Sequence, residues 1–158
     1  MLAPDDPQFA PQLEELRRAA QRMGVNLTIV EVVRGDYDRA FASLSAAKSQ
    51  ALFVGGHTYF ARDGDHIIAL AAKHRLPATY EWPEQAEEGG LMGYGADLDD
   101  LNDRIAMLVE RVLGGVSPAA LPVEQPTKAE LVVNVRTAKA LGLAVPPTLL
   151  QRADRLLE

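Results

Sequence analysis

Gln50-Ala51-Leu52-Phe53-Val54-Gly55-Gly56-His57-Thr58-Tyr59-Phe60 reads as a buried strand running into a glycine turn. Its apolar run, residues 51–54, leaves no polar face for water, which suits a strand covered by helices on both sides of an open parallel sheet. In such sheets the loop at a strand's carboxyl end opens into the crevice where ligands bind. Gly56, His57, Thr58 and Tyr59 would stand at that edge. Two readings of the turn stay open: it lines a ligand crevice, or Gly55-Gly56 only releases the chain and His57 is a solvated loop residue.

Toward the amino terminus, residues 37–48 carry Ala40, Phe41, Leu44 and Ala47 at helical spacing, with Asp36 placed to cap the first turn. Before that helix, residues 27–33 (LTIVEVV) are β-branched and mostly apolar, and read as a strand turned by Arg34-Gly35-Asp36. Strand, helix, strand is a βαβ unit. Residues 12–23 read as an earlier helix with Leu13, Leu16, Ala19, Ala20 and Met23 on one face and Gly24 as its cap. Residues 3–11, punctuated by Pro4, Pro7 and Pro11, read as a loop.

Toward the carboxyl terminus, residues 63–74 read as a helix with Ile67, Ile68, Leu70 and Ala71 inward, and residues 76–80 as a strand ending at Glu81-Trp82-Pro83. A turn at 87–90 leads to a strand at 91–95 that two glycines loosen. Helix after strand, repeated, implies an α/β fold: a three-layer αβα Rossmann-like unit with a mainly parallel sheet, right-handed crossovers and loops gathered at the carboxyl edge. Tyr80, Glu81, Trp82 and Tyr94 would join His57 there. Asp97, or Asp99-Asp100, opens the longest helix, which runs to Leu113 and stops at Gly114-Gly115. Its stripe of Leu98, Leu101, Ile105, Leu108, Val109 and Val112 needs a partner surface. Residues 118–126 read as extended, 131–135 as a strand, 136–141 as a short helix, and Pro146-Pro147 as the opening of a terminal helix through Leu157.

At 158 residues, with 47% hydrophobic and 24% charged, the composition is that of one ordinary globular domain. A net charge of −6 argues against nucleic-acid and anionic-membrane partners, which require clustered cations. The absence of cysteine excludes disulfides, thiolate metal sites and Cys nucleophiles, and His57, His66 and His74 form no metal-ligand pattern. No run has the length of a transmembrane helix, and the opening Met-Leu-Ala-Pro-Asp-Asp-Pro carries no secretion-signal pattern. As written, the chain is expected in the cytoplasm, unless a leader has been removed or the chain is a fragment.

No catalytic pattern stands out: there is no Gly-x-Ser-x-Gly, no Walker phosphate loop, no His-Glu-x-x-His and no Gly-x-Gly-x-x-Gly after a strand. The carboxylate pairs Glu14-Glu15, Glu87-Glu88 and Asp99-Asp100 lie in polar surroundings, where nothing would raise a pKa for acid/base work. The chain is therefore expected not to be an enzyme. The aromatics say more. Tyr59, Phe60, Tyr80, Trp82 and Tyr94 are five of nine (four Tyr, four Phe, one Trp), and they fall at strand ends, where aromatic-lined ligand sites occur.

Residues 76–82 (LPATYEW), 88–95 (EGGLMGYG), 121–143 (LPVEQPTKAELVVNVRTAKALGL) and 145–154 (VPPTLLQRAD) together resemble the second half of the ABC-transporter substrate-binding proteins of the tryptophan-binding type. The resemblance covers essentially the whole chain in order, and its 124–143 block is the most specific part.

That resemblance implies a type I periplasmic-binding-protein fold, two Rossmann-like lobes closing over a small ligand, with residues 1–158 supplying most of the carboxyl-terminal lobe as a single domain. It implies ligand contacts from the loop holding Gly56, His57, Thr58 and Tyr59, from Tyr80, Glu81 and Trp82, and from Tyr94 near the crossover between lobes. His57 departs from the family's pattern, which often has an acidic residue there. The implied role is the solute-binding component of an ABC uptake system, periplasmic, with a transporter permease as partner. The aromatic strand ends suit an amino acid, a nucleobase-like ring or an aromatic acid equally as solute, and no cofactor or metal is expected. The helix at 97–115 would pack on the absent lobe. The lobe's first strand would also be missing, and in the order 2-1-3-4-5 this leaves a central gap. The gap and the uncovered helix together predict a homodimer. Two alternatives remain: a truncated remnant that forms a homo-oligomer without a competent site, and a cytoplasmic α/β enzyme.

Overall fold

The computed structural model describes residues 1–33, 35–123, 125–126 and 128–158. The chain opens with helix α1 (Phe9–Met23), three residues earlier than the sequence pattern suggests. Pro11 is tolerated because the first amides of a helix have no intrahelical acceptor. Gly24 ends α1 in the left-handed conformation, φ 65°, with its N–H returned to the last carbonyls. Helix α2 (Tyr37–Ala46) is capped by the Asp36 carboxylate, which accepts from Arg39 N at 3.3 Å. Tyr37, Ala40, Phe41 and Leu44 are buried, whereas Ala47, expected inward, lies beyond the helix and is exposed.

The buried run becomes strand β1 (Leu52–Val54), and helices α3 (Thr58–Arg62) and α4 (Gly64–Lys73) follow it directly. Ile67, Ile68, Leu70 and Ala71 are buried on α4 as the spacing predicts. Next come β2 (Ala78–Tyr80), α5 (Glu84–Glu87), β3 (Met92–Ala96) and α6 (Leu98–Leu113). After a 3-10 turn at Pro118–Ala120 the chain returns as β4 (Ala129–Asn134), α7 (Val135–Leu141), α8 (Pro147–Leu150) and β5 (Arg155–Leu157).

Among the described residues the sheet holds five strands in the order β1-β2-β3-β4-β5. All neighbours are parallel except β3 and β4, which pair antiparallel from Met92 opposite Val133 to Ala96 opposite Ala129. The fold class is α/β with a mostly parallel sheet, as the sequence indicates. Its main core runs from Met1, Val30 and Val32 through Phe41, Val54, Phe60 and Ile67 to Tyr80.

Three expectations are corrected. Residues 27–33 do not form a covered strand: a single parallel bridge joins Glu31 to Leu2, with Val30 and Val32 buried while Glu31 and Val33 are exposed. Nor is the flank of β1 an open gap. Met1–Ala3 runs along it, outside the five-stranded order, with Leu2 N donating to Val30 O (3.0 Å) and Leu2 O accepting from Val32 N (2.9 Å). On the other side Met1 O accepts from Gly55 N (3.0 Å), and Met1 N donates to Phe53 O (2.7 Å). Finally, the terminal helix ends at Leu150, not Leu157. Asp154 reverses the chain by exchanging bonds with Leu131, N to O at 2.9 Å and carboxylate from N at 2.8 Å, so residues 155–157 become an edge strand beside β4.

No helix among the described residues is long and apolar enough to cross a membrane.

Candidate functional site

Strand β1 delivers the chain to Gly55, whose amide is bonded to Met1 O and whose missing side chain leaves room for Leu2: a Cβ there would meet Leu2 Cδ2 at 2.6 Å. His57 is extended, φ −161°, and acts as the N-cap of α3, its Nδ1 accepting from Tyr59 N at 3.2 Å. A loop was expected at 57–59; the capping imidazole turns it into a first helical turn. That turn sends Phe60 into the core and Tyr59 outward, with the His57 ring 4.6 Å from the Tyr59 ring and 5.8 Å from that of Phe60.

One turn on, the Arg62 guanidinium lies 5.2 Å from the Tyr59 ring centroid and forks onto Asp63 at 2.7 and 2.9 Å. Asp63 also accepts from the Tyr37 hydroxyl at 2.7 Å. These donors, Arg62 first, hold the Asp63 carboxyl at about 2, while burial pushes the Tyr37 phenol upward. Tyr59 and Arg62 form one wall of a cavity of about 520 Å³ whose other walls are Pro4, Asp5, Val33 and Gly35. These are the segments following residues 1–3, 30–32 and β1, so the cavity lies at the carboxyl edge of the sheet.

Glu81-Trp82-Pro83 follows β2 and is not among the residues lining that cavity. The Glu81 carboxyl packs against Gly56, and burial raises its pKa against the opposing pull of the Gly56 amide. Trp82 is half-buried, and its indole N–H is enclosed with no hydrogen-bond partner among the described residues. Tyr94 stands on β3, 58% exposed. The backbone there approaches Glu81–Pro83 closely enough that only glycine fits on either side of it, at Gly93 and Gly95.

The expected site residues therefore separate. Gly56, His57, Thr58, Tyr59, Glu81, Trp82 and Tyr94 come from loops or strand positions at one edge. Tyr80 does not join them: at 1% exposure it is a core residue whose ring lies beside Gly90 and lines a narrow groove between α4 and α7. The alternation of a strand accounts for this, since Tyr80 shares its face with buried Ala78. Pro4, Asp5, Val33, Gly35 and Arg62 were not singled out from the sequence. Arg62 was legible only through α3, where it stands three residues after Tyr59 and so on the same side. Among the described residues no group of three or more His, Cys, Asp or Glu is placed to hold a metal ion. The arrangement offers aromatic surface, an exposed guanidinium and carboxylates around a concave edge, which suits holding a small molecule.

A family model described as ABC transporter substrate binding protein matches residues 2–157. No curated protein matches the chain. Among solved structures, a conserved domain protein from Vibrio cholerae O1 biovar El Tor is 23% identical with a TM-score of 0.86, over 98% of this chain and 52% of that one. An ABC domain from Streptococcus pneumoniae in complex with L-Trp is 21% identical with a TM-score of 0.85, over 98% and 54%. The ligand-free, open form of a substrate-binding protein with adhesive properties from Clostridium difficile is 19% identical with a TM-score of 0.67, over 99% and 52%. These likenesses show the fold, and the chain spans about half the length of the structures it matches. With its family model matched almost end to end, the chain belongs to the ABC transporter substrate binding protein family.

Proposed function

We propose that the chain acts as a solute-binding lobe of an ABC-type uptake system. A small molecule, an amino acid or an aromatic acid by the character of the edge, sits against His57, Tyr59, Trp82 and Tyr94, and a second lobe closes over it. The lobe performs no chemistry, works outside the cytoplasmic membrane and hands the solute to a transporter permease. The observation that carries this reading is the coincidence of family membership over residues 2–157 with aromatic side chains from separate loops at one sheet edge. Calorimetric titration with a panel of amino acids and aromatic acids, against protein carrying both lobes, tests it. Binding at micromolar concentration is expected, and an empty panel with folded protein would remove the solute class.

The same reading assigns α6 to the second lobe. This helix buries none of its residues and exposes Ile105, Met107, Val109, Val112 and Leu113. Its start is fixed at the crossover: the Asp97 carboxylate accepts from Asp99 N and Asp100 N at 3.0 Å each and pairs with Lys128 at the entrance to β4. Without another lobe, a second copy of the chain would cover this face, giving a homodimer. Sedimentation of the chain at micromolar concentration distinguishes the two. A dimer that Val109→Asp dissociates supports self-association through α6, and a stable monomer removes it.

A further inference from the structure

Glu81–Pro83 is held between two places where side chains are missing. On one side, a Cβ on Gly56 would lie 2.1 Å from Glu81 Oε2 and 2.3 Å from Oε1, so the carboxyl group occupies the volume a side chain would need. On the other, a Cβ on Gly95 would lie 1.9 Å from Glu81 O, and one on Gly93 2.6 Å from Pro83 Cα. None of these three glycines has a positive φ, so what each supplies is room and not backbone freedom: room for main chain at Gly93 and Gly95, and for the end of the Glu81 side chain at Gly56. Glycines at both walls thus bring the loop after β1, the loop after β2 and strand β3 into register.

The Glu81 carboxyl joins the loop after β2 to the loop after β1 at Gly56. The Gly56 backbone beside the carboxyl favours its charge, while burial, the larger effect, opposes it and Asp6, on the amino-terminal loop, opposes it further. His57 follows on the same loop as Gly56, and its ring is already occupied in capping α3. A partly desolvated carboxyl seated where a side chain is missing fixes a distance between two segments.

We propose that Glu81 is a positioning residue: its carboxyl group, seated against Gly56, sets the spacing between the loop that carries His57 and Tyr59 and the loop that carries Trp82. The role of that spacing in holding a solute rests on the function proposed above; the contact itself does not. Direct contact between Glu81 and a cationic solute is the competing role, and it requires the carboxylate to be free of Gly56.

A double-mutant cycle tests the seat without any solute. Gly56→Ala alone is expected to unseat the Glu81 carboxyl, the movable end of a side chain, and to shift the emission of Trp82, the only indole in the chain, with a small fall in Tm. In a Glu81→Ala background the same substitution should be nearly silent, because the atoms it strikes are gone. Additive effects would overturn the proposal. Should Gly56→Ala fail to fold, recovery of folding in the double variant supports the seat, and no recovery overturns it. A second measurement is amide hydrogen exchange at Gly56. Glu81→Ala should speed it about tenfold or more, whereas Glu81→Gln, which keeps an acceptor oxygen, should retain most of the protection. Equal loss in both variants, or no change in either, would refute the positioning role.

Discussion

Gly95→Ala is expected to damage the candidate site through the backbone. The new Cβ would stand 1.9 Å from the Glu81 carbonyl oxygen, and real Cβ contacts essentially never fall under 3.0 Å, so β3 and the Glu81–Pro83 segment must part by about 1.1 Å. Neither side yields easily. β3 is paired on both flanks, to β2 through Thr79–Met92 and Tyr80–Gly93 and to β4 over five residue pairs. The obstacle is a main-chain oxygen and not the flexible end of a side chain, which places the cost at the upper end of overpacking, about 3 kcal/mol. For a domain of this size that is a fall in Tm of about 6–12 °C. Gly24→Ala is the control: nothing lies within 4 Å of its Cβ, so it meets only the strain of φ +65°, about 1 kcal/mol. Thermal unfolding by circular dichroism, with Trp82 emission read on the same samples, measures both. If Gly95→Ala melts within 2 °C of the parent, about the size of a neutral substitution, and leaves the emission unmoved, the close approach does not hold Glu81–Pro83 in place.

Asp63 gives a pH test. Its folded carboxyl titrates at about 2 against an ordinary 3.8, chiefly through Arg62 and then the Tyr37 hydroxyl. A depressed pKa stabilises the fold fully above the unfolded value, and that contribution is lost as pH falls from 3.8 through 2. Asp63→Asn should therefore lower the urea midpoint at neutral pH, and the gap to the parent should close toward pH 2; a gap that stays constant would contradict the pairing. Asn134 is 2% exposed, donates to Ala86 O at 2.9 Å and caps α7 by accepting from Thr137 N at 3.0 Å. Asn134→Ala removes the cap and one of the bonds to Ala86 O, which still accepts from Gly89 N at 3.3 Å, about 2 kcal/mol together by urea denaturation, and a loss under about 0.5 kcal/mol would mean water replaces both bonds.

Much of the candidate site was legible because strand ends and turn residues are adjacent in sequence. Gly55-Gly56 after an apolar run, and Glu81-Trp82-Pro83 after another, mark the carboxyl edge without reference to the rest of the chain. The interior facing of Tyr80 was not legible, since an aromatic at a strand end points to the cleft or to the core according to the strand's register. Nor was the cavity wall of Pro4, Asp5, Val33 and Gly35. Those residues meet Tyr59 only because residues 1–3 lie between residues 30–32 and β1.

The sequence by itself determined the features whose cause is local. Asp36 and Asp97 cap the helices that follow them, Gly24 closes α1 in a left-handed turn, and the apolar spacing of α4 names its buried face. Each depends on contacts within a few residues, so the pattern and the structure share one physical origin. Only the tertiary structure decided that Met1–Ala3 lies between residues 30–32 and β1, that β4 runs against β3, and that residues 155–157 leave the helical pattern to pair with β4. It also decided that the Glu81 carboxyl fills the space beside Gly56. In each of these the partner is distant along the chain: Leu2 and Val30, Gly93 and Val132, Leu131 and Asp154, Gly56 and Glu81. Pairing energy between such segments overrides the propensity of either one, because a backbone amide removed from water must find an acceptor wherever the fold supplies it.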